Sequence, residues 1–279
     1  HTLPKINISN AVNLPEIFSG DYSLIQNLSR DGHMVYSASS GRDALCKVLT
    51  YLKKNARVAL KVDIRTSSGN NYVSSCVTDV IKRFFAYSVN EHDSIADIVL
   101  IIHEFGYLAP LEIYESSDNA IIIEDFAYSM ATYLTNTSSR RLPDYRIFSF
   151  SKFLPFQGGG ALTSTLKLPL KTMGDDLLLS KPQVDLWAQA QIENVEFLDR
   201  NIDISEGIYF SEYEGVPEVA VLNFRLNSAK LEKLKRYLNA TGIECTIYYG
   251  QQAFILPIGH SLTRNQKNYI IERTNECAK

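Results

Sequence analysis

The stretch AIIIEDFAY, Ala120–Tyr128, is the clearest strand signal in the chain. Its three consecutive isoleucines predict a strand buried in a sheet that is covered on both faces, because continuous β-branched runs belong in such sheets. Glu124 and Asp125 close the run, and the alternation of side chains along a strand places them on opposite faces. A carboxylate at the end of a buried strand must be paired or neutralised, so either acid is a candidate counter-ion for a buried cation; a turn with solvated acids is the alternative.

Apolar runs alternate with helical patterns on both sides of this strand. Further strands are predicted in RVALKV, FAYSV, ADIVLIIHEF and YRIFSFS, and helices in SGRDALCKVLTYLKKN and YVSSCVTDVIKRFF. The first helix has one apolar face, formed by Ala44, Leu45, Val48, Leu49 and Leu52. Alternation of this kind indicates an α/β fold with a largely parallel sheet.

The pattern changes near residue 180. A mostly helical stretch, LLLSKPQVDLWAQAQIENVEFLDRNIDISEGIYF, begins near Pro182. It is followed by a strand VAVLNFRL, a helix SAKLEKLKRYLNATG ending at Gly242, a strand IECTIYY and a closing helix LTRNQKNYIIERTNECA. We therefore predict a large domain over residues 1–180, of which 1–35 form an irregular N-terminal segment, and a small C-terminal α/β domain over residues 181–279.

Composition argues against several classes of protein. The 279 residues carry 28 Lys and Arg against 31 Asp and Glu, a net charge of −3 that disfavours a nucleic-acid partner. The apolar runs are too short to cross a membrane. The four cysteines form no CxxC pair, so no metal site is expected and a reducing compartment is favoured. No signal peptide is visible, which predicts a cytoplasmic location. No GxGxxG follows the first strand, which argues against dinucleotide binding.

A phosphate-binding turn is predicted at SSGRDAL, Ser39–Leu45. A Ser-Gly turn that opens a helix presents free backbone N–H groups at the positive end of the helix dipole. Arg42 adds a permanent cation at the same place. A helix start with Ser40 as its N-cap explains the same residues without a ligand, and for this segment alone that interpretation is favoured.

Two more candidate residues follow predicted strands. His103, in VLIIHEFGY, has the chemistry to stack on or hydrogen-bond a ring ligand, although a histidine satisfied within the core is the commoner outcome. Lys152 follows a Ser/Phe alternation that predicts a strand with Ser149 and Ser151 on one face. Gly158–Gly160 then let the backbone pass close to a neighbour. A lysine amine beside an apolar pocket and another cation is a nucleophile for a carbonyl; a solvated loop lysine is the alternative.

The order of these features is more informative than any one of them. A phosphate-type turn, a histidine after a strand, an acid after a strand and a lysine before glycines match the needs of pyridoxal phosphate. Its phosphate needs a helix N-terminus, its ring a flat neighbour, its pyridinium nitrogen a carboxylate and its aldehyde a lysine.

The same motifs resemble the DegT/DnrJ/EryC1/StrS family of sugar aminotransferases, which are fold-type-I pyridoxal-phosphate enzymes. The matching segments are SGRDAL at 40–45, HEFG at 103–106, EDFA at 124–127 and SKFLPFQGGGA at 151–161. In the family these are S-G-[TR]-x-A-L, H-x-x-G, E-D-x-A and T-K-N-x-T-T-G-E-G-G-A. GIECTIYY and LPIGHSLT are similar to the closing segments of the family, so the similarity spans most of residues 36–279.

The resemblance implies a three-layer α/β/α fold with a mainly parallel mixed sheet and a small C-terminal α/β domain. It implies pyridoxal 5′-phosphate as cofactor, with Lys152 as the Schiff-base lysine and general acid/base and Asp125 as the partner of the pyridinium nitrogen. Tyr128 stands where the family usually has Gln, near the cofactor hydroxyl, and Tyr72 is the candidate stacking aromatic. The remaining cofactor-binding residues are Gly41, Arg42 and Ser149 at the phosphate, together with Ser40, His103 and Ala127.

The implied activity is transfer of an amino group from glutamate to a keto-sugar nucleotide, in polysaccharide or secondary-metabolite biosynthesis, by a homodimer. Two departures from the family pattern keep alternatives open: QGGG replaces GEGG, and no G-x-N-x-R segment follows the lysine. The first alternative is a pyridoxal-phosphate lyase or dehydratase on the same fold. The second is a catalytically degenerate protein that binds without turnover.

Overall fold

The computed structural model of the chain describes residues 22–92, 95–115, 119–136, 142–174 and 178–278. Most of the predicted irregular segment, residues 1–21, lies outside the described residues. The strands are β1 (Tyr22–Ser23), β2 (Met34–Ala38), β3 (Lys61–Thr66), β4 (Ala86–Val89), β5 (Ile98–Ile102), β6 (Ile121–Asp125), β7 (Tyr145–Ser149), β8 (Gly160–Ser164), β9 (Leu178–Leu179), β10 (Ser205–Ile208), β11 (Val219–Phe224), β12 (Thr246–Tyr248) and β13 (Ala253–Pro257). The α-helices are α1 (Leu24–Leu28), α2 (Gly41–Asn55), α3 (Ser75–Ile81), α4 (Met130–Thr135), α5 (Lys181–Asn201), α6 (Ser228–Ala240) and α7 (Arg264–Ala278).

A seven-stranded sheet with the order β2-β8-β7-β6-β5-β3-β4 forms the larger part of the molecule. The neighbours from β7 to β4 are parallel, whereas β8 pairs antiparallel with both β7 and β2. The predicted mixed, mostly parallel sheet is therefore confirmed. Because the carboxyl ends of β3, β5, β6 and β7 meet at one edge, polar residues that are distant in sequence come together there.

Helix α2 shows why this sheet is buried. Its five predicted apolar positions are all buried, and they join Val62, Ile64 and Leu100 in one core cluster. Ile101 and Ile122 belong to a separate cluster on the opposite face. Each fully buried aliphatic side chain contributes about 1.5–3 kcal/mol, so packing on both faces accounts for the continuously apolar strands.

A second, antiparallel sheet with the order β10-β11-β13-β12 follows α5. Its core combines Leu222, Phe224 and Phe254 with Leu234 of α6 and Ile270 of α7. The predicted strand, helix, strand and helix of this part are all present. The sequence did not predict β13, which lies between β11 and β12 and completes the sheet.

Several elements differ in extent from the prediction. Strand β3 covers Lys61–Thr66 rather than 57–62, because Asp63 and Arg65 lie inside the strand as a fully buried ion pair of 2.8 Å and their charges hide its apolar pattern. Helix α3 begins only after Ser74, whose hydroxyl accepts from Cys76 N–H at 3.2 Å and caps it. Helix α5 ends at Asn201, so the mostly helical prediction is wrong beyond that residue, where β10 follows. The strand predicted over IECTIYY forms only over Thr246–Tyr248, as β12.

Candidate active site

A cleft of about 600 Å³ lies between the carboxyl edge of the seven-stranded sheet and strands β12 and β13 of the second sheet. This volume lies within the usual range for small-molecule sites. All ten residues predicted from the sequence line it: Ser40, Gly41, Arg42, Tyr72, His103, Asp125, Ala127, Tyr128, Ser149 and Lys152. Among the described residues no cluster of three or more His, Cys, Asp or Glu is arranged to hold a metal ion.

One end of the cleft is formed by the start of helix α2. Ser40 is its N-cap and accepts from Asp43 N–H at 3.2 Å. The N–H groups of the first turn of a helix have no intrahelical acceptor and lie at the positive end of its dipole, an arrangement that binds anions. A Cβ on Gly41 would lie 3.1 Å from Ala127 Cβ and 3.3 Å from Ser149 Cβ. A side chain here would require these neighbours to move by a few tenths of an ångström, so glycine eases the close approach of the helix start to Ala127 and Ser149.

The glycine run after Lys152 has a related explanation. A Cβ on Gly160 would lie 2.4 Å from the carbonyl oxygen of Phe148 and 2.8 Å from the carbonyl carbon of Ser40. Gly159 adopts φ +96°, which favours glycine. These residues thus let β8 pass directly beneath the helix start.

Arg42 reaches into the cleft and contacts Cys76, a residue that the sequence did not single out. Arg42 Nη2 lies 2.6 Å from Cys76 Sγ. Partial burial alone would raise the pKa of the Cys76 thiol, but the guanidinium and the Ser74 hydroxyl outweigh it and the pKa is lowered. The Arg42 guanidinium thus favours an anionic group at this end of the cleft.

Asp125 is a buried carboxylate that has few partners. Its Oδ1 accepts from Ala127 N–H at 2.8 Å. Burial raises the pKa of Asp125 to about 6, and only the Ala127 N–H and His103 act in the opposite direction. Such a carboxylate is suited to a cationic partner within the cleft, and a protonated ring nitrogen has that chemistry.

Glu124 faces the other side of β6, as the alternation predicted. It accepts from the Tyr114 hydroxyl and lies 3.3 Å from Arg146 Nε. Burial would raise the pKa of Glu124, but His103, Tyr114 and Arg146 together lower it. Both acids are thus buried, and only Asp125 lines the cleft.

His103 belongs to the core although its residue borders the cleft. Its Nδ1 accepts from Ala109 N–H at 3.0 Å, its ring stacks on Phe126 with centroids 4.1 Å apart, and its side chain is 0% exposed. Because Nδ1 accepts, a neutral imidazole carries its proton on Nε2, which lies 3.6 Å from Glu124 Oε1. This geometry favours the core-histidine interpretation over stacking on a ligand.

Lys152 is held by Tyr128. Its Nζ donates to the Tyr128 hydroxyl at 2.8 Å and lies 4.4 Å from the ring centroid. Strand β7 ends at Ser149, and a 3₁₀ turn, Phe150–Lys152, follows. The predicted strand is therefore present up to Ser149, and its extension to Ser151 is wrong, although both serines line the cleft. The turn, not the strand, places Lys152 in the cleft.

The second wall of the cleft was not predicted from the sequence. It includes Glu104, Phe105, Thr246, Ile247 and Tyr248. Glu104 lies within HEFG, two residues after the end of the buried strand β5, and an acid at the end of a buried strand is the same signal that identified Asp125. Tyr72 is 48% exposed and packs on Tyr249 with ring centroids 4.9 Å apart.

Comparison with protein-family models and with curated protein sequences finds no match. Among solved structures, Spr1654 from Streptococcus pneumoniae, described as a sugar aminotransferase, has a TM-score of 0.63 at 13% identity, over 88% of this chain and 86% of that chain. A DegT DnrJ EryC1 StrS aminotransferase from Brucella abortus has a TM-score of 0.59 at 14% identity, over 92% and 91%. The sugar aminotransferase CalS13 from Micromonospora echinospora has a TM-score of 0.58 at 12% identity, over 87% of each chain.

These similarities show the fold. The chain has the fold of the fold-type-I pyridoxal-phosphate transferases, as predicted. Spr1654 itself has been solved in forms with pyridoxal phosphate and with pyridoxamine phosphate. Within the described part of the chain, no helix is both long and apolar enough to span a membrane.

Proposed function

We propose that the protein is a pyridoxal-phosphate-dependent aminotransferase. One observation carries the proposal: a lysine, a buried carboxylate and a Gly-Arg helix start line a single cleft at the carboxyl edge of the sheet. These are the three groups that the aldehyde, the ring nitrogen and the phosphate of the cofactor require. The shared fold with sugar aminotransferases supports the same conclusion.

The residues of the cleft fit the cofactor. Gly41, Arg42 and Ser149 would hold the phosphate at the start of α2, and Asp125 would pair with the ring nitrogen. The cofactor, when bound, supplies an electron sink for the bond that is broken at the substrate α-carbon. Lys152 Nζ would form the covalent link to the cofactor aldehyde and, once the amine of the amino donor has displaced it, would move the proton from the donor's α-carbon. The Tyr128 hydroxyl, 2.8 Å from Nζ, orients the amine for this transfer.

The finer parts of the proposal come from the resemblance. The amino donor is glutamate and the acceptor a keto-sugar nucleotide, and the structural neighbours described as sugar aminotransferases support this substrate class. The active form is a homodimer located in the cytoplasm; all four cysteines are free, which suits a reducing compartment. We also keep the division into domains at residue 180, because the seven-stranded sheet lies before it and the four-stranded sheet after it.

Absorbance spectroscopy with added pyridoxal phosphate tests the cofactor assignment. We expect a visible band in the wild type that Lys152→Ala abolishes, and borohydride reduction followed by peptide mapping should label Lys152. Lys167→Ala is the matched control, because Lys167 is an exposed lysine that does not line the cleft. Labelling of another lysine would refute the assignment.

Turnover then separates the reaction classes. Transamination predicts one 2-oxoglutarate formed from glutamate for each cofactor converted to its amine form in the absence of acceptor. Release of ammonia or loss of water from a substrate would indicate the lyase or dehydratase. A protein that binds the cofactor without any conversion would indicate the degenerate binding protein.

A further inference from the structure

Glu104, Ser68 and Tyr248 form a closed ring of hydrogen bonds between the two sheets. Ser68 Oγ lies 2.6 Å from Glu104 Oε2, Tyr248 O–H lies 2.8 Å from Glu104 Oε1, and Ser68 Oγ lies 2.5 Å from the Tyr248 hydroxyl. Glu104 and Ser68 follow strands β5 and β3, whereas Tyr248 ends β12. The ring therefore ties the carboxyl edge of the seven-stranded sheet to the opposite wall of the cleft.

Counting protons shows that this ring needs a protonated carboxyl group. Three oxygen–oxygen contacts require three protons, one in each hydrogen bond. The Ser68 and Tyr248 hydroxyls supply two, because each has a single O–H. An ionised Glu104 supplies none, which would leave two lone pairs facing each other at one contact. A neutral Glu104 supplies the third proton and closes the ring.

The position of that proton follows from the other donors. Glu104 Oε2 also accepts from Ser67 Oγ at 3.2 Å and from Ser68 N–H at 2.8 Å, so it acts as an acceptor only. Ser68 Oγ accepts from Asn70 N–H at 3.2 Å, which leaves it one further lone pair. The consistent arrangement has Glu104 Oε1–H donating to Tyr248, Tyr248 O–H donating to Ser68, and Ser68 O–H donating to Glu104 Oε2.

The surroundings of Glu104 favour the neutral form. Glu104 is 6% exposed and Tyr248 is 2% exposed. Burial raises the pKa of Glu104 in spite of the hydrogen bonds that its carboxyl group forms with the two serines and the tyrosine. The titratable groups that face it from the second sheet and its flanking loop are Tyr248, Tyr209 and Tyr213, which are uncharged at neutral pH. No lysine, arginine or histidine among the described residues forms an ion pair or hydrogen bond with its carboxyl group.

The ring of hydrogen bonds holds Glu104 in place and thereby positions the next residue, Phe105, which lies near Tyr128 and Lys152. Phe105 directly follows Glu104 and adopts φ +57°, a strained conformation for a residue with a side chain. Its ring packs edge-on against Tyr248 at 5.3 Å and against Tyr128 at 6.0 Å between centroids. Tyr128 in turn accepts from Lys152. The position of Glu104 thus sets the wall that lies beside the lysine.

We propose that Glu104 carries a proton on Oε1 at neutral pH and is a positioning residue, which fixes the substrate wall of the cleft through Tyr248 and Phe105. Its kinetic consequences rest on the proposed aminotransferase function. The protonation itself does not, and it can be measured without turnover.

Infrared difference spectroscopy of wild type against Glu104→Gln measures the protonation directly. We expect the difference spectrum at neutral pH to show the carbonyl stretch of a protonated carboxylic acid, lost in the variant. Glu196→Gln, which removes an exposed carboxylate on α5, is the matched control and should lose carboxylate bands only. Loss of carboxylate bands alone in Glu104→Gln would overturn the proposal.

Kinetics test the positioning role. An amide can replace the neutral acid, since its N–H donates to Tyr248 while its oxygen accepts from Ser68. We therefore expect Glu104→Gln to retain most of the activity that Glu104→Ala loses, and to keep it at alkaline pH where the wild type declines. Glu104→Ala and Tyr248→Phe should raise KM for the amino donor about tenfold, with a smaller change in kcat.

If Glu104→Ala does not fold, Tyr248→Phe tests the same hydrogen bond. Its control is Tyr237→Phe, because the Tyr237 hydroxyl donates to Glu276 outside the cleft. If Glu104→Gln is as damaging as Glu104→Ala, the carboxyl group is ionised and the proposal is wrong. A wild type without transaminase activity that still shows the acid carbonyl band would refute the proposed function while supporting the protonated Glu104.

Discussion

Each face of strand β6 carries a carboxyl group, and the pKa values of the two groups are shifted in opposite directions. Glu124 and Asp125 are consecutive and both buried, yet the pKa of Glu124 is lowered and that of Asp125 is raised to about 6. The difference lies in their partners. Arg146, Tyr114 and His103 surround Glu124, whereas the Asp125 carboxylate accepts one hydrogen bond from the described residues, that of the Ala127 backbone N–H.

This contrast indicates that Glu124 is a structural carboxylate and that Asp125 is available to bind a ligand. A satisfied buried acid stabilises the fold, and removing it leaves its cation unpaired. An unsatisfied buried acid that lines a cleft costs stability and gains a partner only when a cation binds. Substitution of Glu124 should therefore change mainly the stability of the protein, and substitution of Asp125 mainly its activity.

The largest expected effect comes from Asp125→Asn. Loss of the charge that would hold the ring nitrogen protonated should lower kcat on the order of 10²–10³-fold, the usual cost of removing one electrostatic partner of a transition state. Steady-state kinetics on the cofactor-loaded protein measure it. An activity within threefold of the wild type would place the ring nitrogen elsewhere.

Glu124→Gln should show the reverse pattern. Arg146, whose side chain is buried, would lose its buried counter-ion and keep the partly exposed Asp31 at 2.9 Å and the Tyr133 hydroxyl at 3.3 Å, so the free energy of unfolding should fall by about 3 kcal/mol. Denaturant unfolding measures this change, and Asp125→Asn is the matched comparison. We expect that variant to be as stable as the wild type or more stable, since it removes a desolvated charge. Equal losses of unfolding free energy in both variants would contradict the distinction between a structural Glu124 and a ligand-binding Asp125.

The pH dependence of stability has opposite signs on the two faces. Asp125 binds its proton more tightly folded than unfolded, so its contribution to unfolding free energy is present at low pH and is lost as pH rises from about 4 to about 6. Over that interval the loss is roughly 3 kcal/mol. Glu124, with its lowered pKa, contributes stability above its unfolded pKa that is lost on acidification. Unfolding of each variant relative to wild type at several pH values should show these opposite slopes in the cofactor-free protein, and equal slopes would refute the assignment.

Local pattern predicted one wall of the cleft and missed the other. The apolar face of α2, the isoleucines of β6 and the turn at Gly41 follow from the sequence alone, because each depends on near neighbours along the chain. The hydrogen bond between Tyr248 and Glu104 joins residues 144 positions apart, and no local periodicity encodes such a pairing. A long-range pairing also contributes to β3, because Arg65 donates to the carbonyl oxygens of Ile113 and Glu115, 48 and 50 positions away, and these bonds let a charged residue lie inside a core strand.

His103 is the residue for which local pattern was least informative, because its role depends on Ala109 and Glu124, which reach it only in the folded chain. It also gives the smallest and most discriminating test of the contrast. His103→Asn keeps an acceptor near Nδ1 for Ala109 N–H and removes the Nε2 contact with Glu124. If His103 belongs to the Glu124 side, the free energy of unfolding should fall by about 1 kcal/mol while kcat changes less than threefold. Denaturant unfolding and turnover should be measured on the same preparation of the variant. A large fall in kcat at unchanged free energy of unfolding would instead show that His103 acts with Asp125 in the cofactor site.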